Sequence, residues 1–300
     1  MLTGEACEVI FTLPGLRTLS AVIQRDTPLP SVVLPNLIDL KLTYDHDGDW
    51  LRVFRGAVLG PLESVTFHSG AEKIGGFLEA FEKAALATSI QHTLSEFCVY
   101  PYCSWNPNYS SLHSFTQMTD LIIEFFCDDS CSSTVDDDII INLARTMPKL
   151  ETLELGCRPC HEIPTGVTVK GLVALAHHCP DLSSLRIHFQ VASLGSPPAG
   201  YGVTLDGESV VPRRDCALRH LEVGEIPVSD ESVPMVALTL VHIFPNIAGV
   251  DCYDQNWISV LDAICLARGI TGLSCKEHPL SAPRSNFSDI SPGATLENGG

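Results

Sequence analysis

One apolar pattern returns nine times and constrains this chain more than any other feature. It reads apolar, two variable residues, apolar, one variable residue, then apolar or small. Leu150-Leu153-Leu155 and Leu182-Leu185-Ile187 are its clearest copies. Before them come Leu16-Leu19-Ala21, Leu37-Leu40-Leu42, Leu62-Val65-Phe67, Leu94-Phe97-Val99 and Met118-Leu121-Ile123. Leu218-Leu221-Val223 and Ile247-Val250-Cys252 follow. Successive copies are 21, 25, 32, 24, 32, 32, 36 and 29 residues apart. The shorter steps suit a leucine-rich repeat of roughly 20–29 residues, and the longer ones leave room for full helices and inserted loops. Pro14, Pro35, Pro148, Pro180 and Pro245 each stand two residues before a copy, where a residue without an N–H stops the preceding helix.

Helical periodicity fills the gaps. Residues 71–90 place Ile74, Phe77, Leu78, Phe81 and Leu86 on one face. Residues 135–147 open with acids, favourable at a helix N-terminus, and residues 168–179, 232–244 and 257–268 read similarly. The unit is therefore strand, loop, helix. No single unit can bury its own apolar face, but stacked units can. The fold class expected is α/β: a curved leucine-rich-repeat solenoid with parallel strands on the concave face and helices on the convex face. An ordinary α/β sheet is the alternative, and no Gly-rich phosphate loop follows any strand. The repeat domain is expected over 1–275, with a long loop at 190–216 whose Gly, Ser and Pro content favours disorder, and a disordered tail over 276–300. The short segment 1–12 is expected to leave an apolar edge exposed.

MPKLETLELG and HHCPDLSSLRIHF, each preceded by a helix, resemble the leucine-rich repeats of F-box proteins. The irregular steps and LP-x-L strand starts are similar to the F-box-like families of basidiomycete fungi, over roughly residues 13–268. In that family an F-box docks on the Skp adaptor of a cullin–RING ubiquitin ligase and the repeats hold the substrate. The resemblance thus implies a substrate-recognition role in ubiquitin ligation. It departs from the family plan at the start, where the first repeat begins near Leu13 and no F-box fits. A Skp adaptor is an expected partner only if an F-box lies upstream, and no residue is assigned to adaptor binding.

Charge narrows the partners. Lys and Arg total 18 against 36 Asp and Glu, a formal charge of −18. Such a field repels nucleic acid and anionic lipid and favours basic partners. No stretch is apolar for long enough to span a bilayer, and the N-terminus lacks a basic signal-peptide region, so a cytoplasmic or nuclear location is expected, with the cysteines reduced. Residues between the apolar positions of each strand should face the concave side. They form an acidic strip: Asp39, Glu96, Asp120, Glu124, Glu154, Glu222 and Asp251, with Lys41 and Arg186, and with Tyr100 and Tyr253 as aromatic anchors. The ligand expected is a protein with a basic or mixed-charge segment. The aromatic loop Tyr102, Trp105 and Tyr109 is either a binding ridge or a plug over the core.

Three motifs suggest cofactors and are set aside. Cys157-x-x-Cys160-His161 has the haem-attachment spacing, but nothing else in the sequence indicates haem. Zinc would need a second pair, and Cys98…Cys103 or Cys127…Cys131 are the candidates. The acidic run 45–49 fails the calcium-loop spacing, with Gly48 fourth and Gly56 twelfth. No metal or other cofactor is expected. No G-x-S-x-G, H-E-x-x-H or P-loop is present. The expectation is a protein-interaction scaffold rather than an enzyme. Its alternatives are a stand-alone repeat protein with a structural or regulatory partner and an α/β hydrolase-like enzyme.

Overall fold

The computed structural model describes residues 4–23, 33–44, 58–69, 76–101, 107–126, 135–158, 166–194, 203–205, 207–224, 226–252, 255–269 and 274–277. The chain is a mixed α/β protein built on one parallel sheet of ten strands. In chain order these are β1 (Thr18–Ile23), β2 (Asp39–Tyr44), β3 (Ser64–Ser69), β4 (Glu96–Tyr100) and β5 (Asp120–Phe126). Then come β6 (Thr152–Arg158), β7 (Ser184–Ile187), β8 (His220–Gly224), β9 (Gly249–Cys252) and β10 (Ser274–Glu277). Each strand pairs with the one before it and the one after it, and β1 does not meet β10, so the sheet is no closed barrel.

The register reproduces the sequence repeat. Leu19, Leu40, Val65, Phe97, Leu121, Leu153, Leu185, Leu221 and Val250 stand opposite one another in an unbroken row. All nine are buried in one continuous core. The apolar residues of α2 (Phe77–Thr88), α3 (Asp137–Thr146), α4 (Val169–His178), α6 (Val233–Ile243) and α7 (Asn256–Arg268) join that core. The helices therefore cover the leucine face and leave the other face of the sheet open. α1 (Gly4–Ile10) lies at the β1 end and α5 (Val191–Leu194) is a single turn.

Two backbone devices recur with the repeat. Leu13 to Leu16, Leu34 to Leu37, Met147 to Leu150, Cys179 to Leu182 and Phe244 to Ile247 each close a turn, the last N–H donating to the first carbonyl. Pro14, Pro35, Pro148, Pro180 and Pro245 hold the second position of these turns, which proline's fixed φ suits. The prolines thus make the turn into five of the strands, and at Pro148, Pro180 and Pro245 that turn directly follows the end of a helix. One carbonyl per repeat then accepts two successive N–H groups of the next unit: Arg17, Ile38, Glu63, Ser95, Thr119, Glu151, Ser183 and Arg219. This ladder satisfies the backbone where the strands begin.

Helix starts carry their own caps. The Asp136 side chain accepts from Ile139 N at the head of α3, and Thr168 accepts from Lys170 N at the head of α4. Asp137 joins the two helices, accepting from Thr168 N, Thr168 Oγ1 and Gly171 N at 2.6–2.9 Å.

Several expectations need correction. Leu86 is half-exposed rather than on the buried face of α2, and Ile74 lies outside the described residues. The gap 190–216 contains α5 and an antiparallel hairpin, Val203–Leu205 with Glu208–Val210, in place of an unstructured loop. Its alternating Val203, Leu205 and Val210 are buried, which anchors the hairpin. The N-terminal edge is partly covered, since Cys7 and Phe11 are buried while Val9 and Leu13 stay exposed. A tenth strand follows the ninth repeat and ends at Glu277, past the expected boundary at 275. Its register sets Cys275 and Glu277 opposite Val250 and Cys252, and a charged residue in a pattern position is why the pattern missed it. The tail from 278 lies outside the described residues.

Candidate functional site

Strand alternation turns the residues between the core positions onto the open face, where they fall into rows across the sheet. The first row runs Asp39, Ser64, Glu96, Asp120, Thr152, Ser184, His220 and Gly249. The second runs Lys41, Thr66, Cys98, Ile122, Glu154, Arg186, Glu222 and Asp251. Above them stand Thr43, His68 and Tyr100, with Glu124 opposite Gly156.

The strip is not uniformly acidic, because Arg186 gathers its centre. Its side chain is 5% exposed and is shared by three carboxylates. Nη2 donates to Glu124 Oε2 at 3.0 Å and to Glu154 Oε2, and Nε faces Glu222 Oε2 at 3.7 Å. Glu154 and Glu222 reach it as lateral neighbours in the row. Glu124 reaches it from two strands away, across Gly156. That glycine has φ +136, a conformation side chains disfavour, and a β-carbon there would stand 3.8 Å from the His188 ring. Burial alone would lower the Arg186 pKa, but the three carboxylates outweigh it and raise the pKa further.

The flanks differ. At the β9 side, His220 Nε2 lies 3.1 Å from Asp251 Oδ2. At the β2–β5 side, Asp39, Glu96 and Asp120 are half-buried and make no ion pair among the described residues. Burial raises the Asp39 pKa, and the Glu96 charge raises it further. Tyr100 stacks on His68 with ring centroids 4.5 Å apart and planes 7° from parallel. Burial, with Lys41 adding, takes the His68 pKa down to about 4, so the ring is neutral near pH 7. Burial, helped by nearby Cys98, Glu124 and Glu154, pushes the Tyr100 phenol up to about 12. Lys41 is exposed.

The expected site residues therefore divide three ways. The structure brings Glu124, Glu154, Arg186 and Glu222 into one cluster, and it ranges Asp39, Glu96, Asp120 and Tyr100 beside it. Tyr109 is buried in a short 3-10 helix, so of the two readings of that loop this residue is a plug and not a ridge. Tyr102, Trp105 and Tyr253 lie outside the described residues. His68, Gly156 and His220 were not singled out, although the strand period places them on the open face. The signal for the ion cluster was Glu, Arg, Glu at one equivalent position of three successive repeats.

Cys98 is buried on the open face, and burial, then Glu96, pushes its thiol up to about 12, far from a reactive thiolate. Ser184 stands next to His220 in register, and His220 meets Asp251; among the described residues no hydrogen bond joins Ser184 to His220. Cys157 occupies the core side of β6 and Cys98 the open side of β4, so those two cannot share a zinc ion. No group of three metal-ligating side chains forms among the described residues. Cys160, His161 and the run 45–49 lie outside them. A cleft of about 370 Å³ lies at the helix side near the heads of α3 and α4, lined by Asp136, Asp138, Arg145 and Lys170 among others. Among the described residues no helix is long and apolar enough to cross a membrane.

Neither a comparison with protein families nor one with curated proteins finds a match for this chain.

Proposed function

We propose that this chain is a leucine-rich-repeat solenoid that binds a partner protein on the open, concave face of its sheet. The observation that carries the reading is the repeated register. Nine equivalent strand positions stack into one core row, which leaves their neighbours as an ordered surface that none of the described helices covers. That surface carries seven carboxylates against Lys41 and Arg186, so its complement is a basic or mixed-charge protein segment. In the F-box-like reading the same face would hold a ubiquitin-ligase substrate. Retention of purified Skp adaptor by the chain supports that role, and failure to retain it favours the stand-alone repeat protein.

Curvature and face are tested together. Small-angle scattering should give the profile of an arc rather than a compact sphere. A basic peptide cross-linked from a photoreactive residue at Thr66 should label the sheet face, while the same residue at Glu79 of α2 should not. A spherical profile, or equal labelling from both positions, refutes the reading.

A further inference from the structure

The ion cluster around Arg186 is unevenly bonded. Among the described residues three carboxylates surround its guanidinium. Both bonded carboxylates crowd onto Nη2, while the buried Nη1 has no hydrogen-bond partner among the described residues. A guanidinium has five donors, so this arrangement leaves a donor of Arg186 idle. The three carboxylates are unequal. The side chains of Glu222 and Glu124 are 9% and 12% exposed, and that of Glu154 is 21% exposed. Glu154 makes no hydrogen bond other than the one to Arg186, so its Oε1 is unused. Half-exposed Ile122 stands next to it in the row, and Tyr100 is close enough to feel its charge.

We infer that Glu154 is the carboxylate this cluster yields to a partner: it receives an arginine side chain of the bound segment while Arg186 keeps Glu124 and Glu222. The incoming guanidinium finds a free acceptor at Oε1 and an apolar step for its stem at Ile122. Arg186 holds the two deeper carboxylates in place, and its idle Nη1 turns to one of them. The incoming guanidinium adds one positive charge beside the three carboxylates. Arg186 is thus a positioning residue and Glu154 the residue that sets specificity for a cation. The inference rests on the open-face reading above.

The test uses an amidated hexa-arginine peptide as probe, titrated into the full chain at low salt by fluorescence anisotropy. Glu154→Gln is compared with Glu79→Gln, which removes the same charge from the exposed face of α2, and with the double variant Glu96→Gln/Asp120→Asn. Glu154→Gln should weaken binding about fivefold, between a surface pair and a desolvated one, and Glu79→Gln less than about twofold. In parallel, the Arg186 Nε–H resonance should shift on saturation as Glu154 leaves it. If Glu154→Gln matches Glu79→Gln while the double variant loses binding, this inference is overturned and the open-face reading stands. If every variant matches Glu79→Gln, both fall. An Arg186 resonance unmoved by saturating peptide also overturns the exchange.

Discussion

Replacing Arg186 with Met isolates the energetics of the open face. The substitution keeps an unbranched stem of similar length and removes only the guanidinium. Two charge-assisted hydrogen bonds disappear, each worth about 1.5–3 kcal/mol net of water. Three carboxylates then face one another without the Arg186 charge. Deleting one member of a buried ion cluster typically costs about 3–5 kcal/mol. Glu154 is exposed enough to rehydrate, which places the expected loss at the lower end, about 3 kcal/mol. Urea unfolding at pH 7.5 reads this directly: with a slope of about 3 kcal/mol per molar, the midpoint falls by roughly 1 M. The triple variant Arg186→Met/Glu124→Gln/Glu222→Gln removes most of the repulsion with the cation and should regain at least half of the loss. A loss below about 1 kcal/mol, or a triple variant no more stable than the single one, would show that the cluster is solvated and not the centre of the face.

Further variants probe the core, the glycine and pH. Leu153→Ala empties the middle of the stacked row, and a loss of about 3 kcal/mol in the same urea assay is expected. Gly156→Ala forces a β-carbon onto φ +136 and towards His188, with an expected loss of about 1–2 kcal/mol; a neutral result means that the backbone relaxes freely there. His68 is held neutral by burial, with its pKa lowered from 6.5 to about 4. A group depressed in this way contributes fully above pH 6.5 and loses that contribution as pH falls towards 4, because the unfolded chain takes up the proton first. For a half-exposed ring this amounts to about 2 kcal/mol between pH 7.5 and 4.5, and a His68→Gln variant should lack that share of the acid loss. An identical pH dependence in both proteins would remove His68 from the account.

The fold was legible wherever leucine occupied the pattern. Leu40, Leu121, Leu153, Leu185 and Leu221 predict their own row, because residues that alternate along a strand must alternate between two faces. The prolines announce the turns, and the helices fall within a few residues of their predicted bounds. Legibility fails where the signal is weak or is carried by something other than apolarity. β10 offers Cys275 and Glu277 at the positions opposite Val250 and Cys252, so only its pairing with β9 reveals it. The hairpin at 203–210 is too short for a periodicity to rise above its Gly and Pro surroundings. At the site, strand parity predicts which side chains share the face but not which of them meet. Glu154 and Arg186 are neighbours by register. Glu124 reaches Arg186 from two strands away, over Gly156, and no one-dimensional pattern encodes that.

The arrangement of charge across the repeats bears on how such a face discriminates. Adjacent strands are spaced about 4.8 Å apart, so equivalent positions of successive repeats act on one another like neighbours along a lattice. Where these positions alternate in sign, as in Glu154, Arg186 and Glu222, the repeats neutralise one another laterally, and desolvating them on binding costs less than desolvating an isolated charge. Where they share a sign, as in Glu96 and Asp120 with Asp39 beyond Ser64, the repulsion stays until a partner supplies cations. The sheet therefore presents a self-paired centre beside an unpaired acidic flank. A partner with scattered positive charge gains at the flank alone. One that also places a guanidinium over the centre must displace a bond already made, so its gain there is small in energy and strict in geometry. Attraction along the flank and selection at the centre thus become separable properties of one surface, set by different residues.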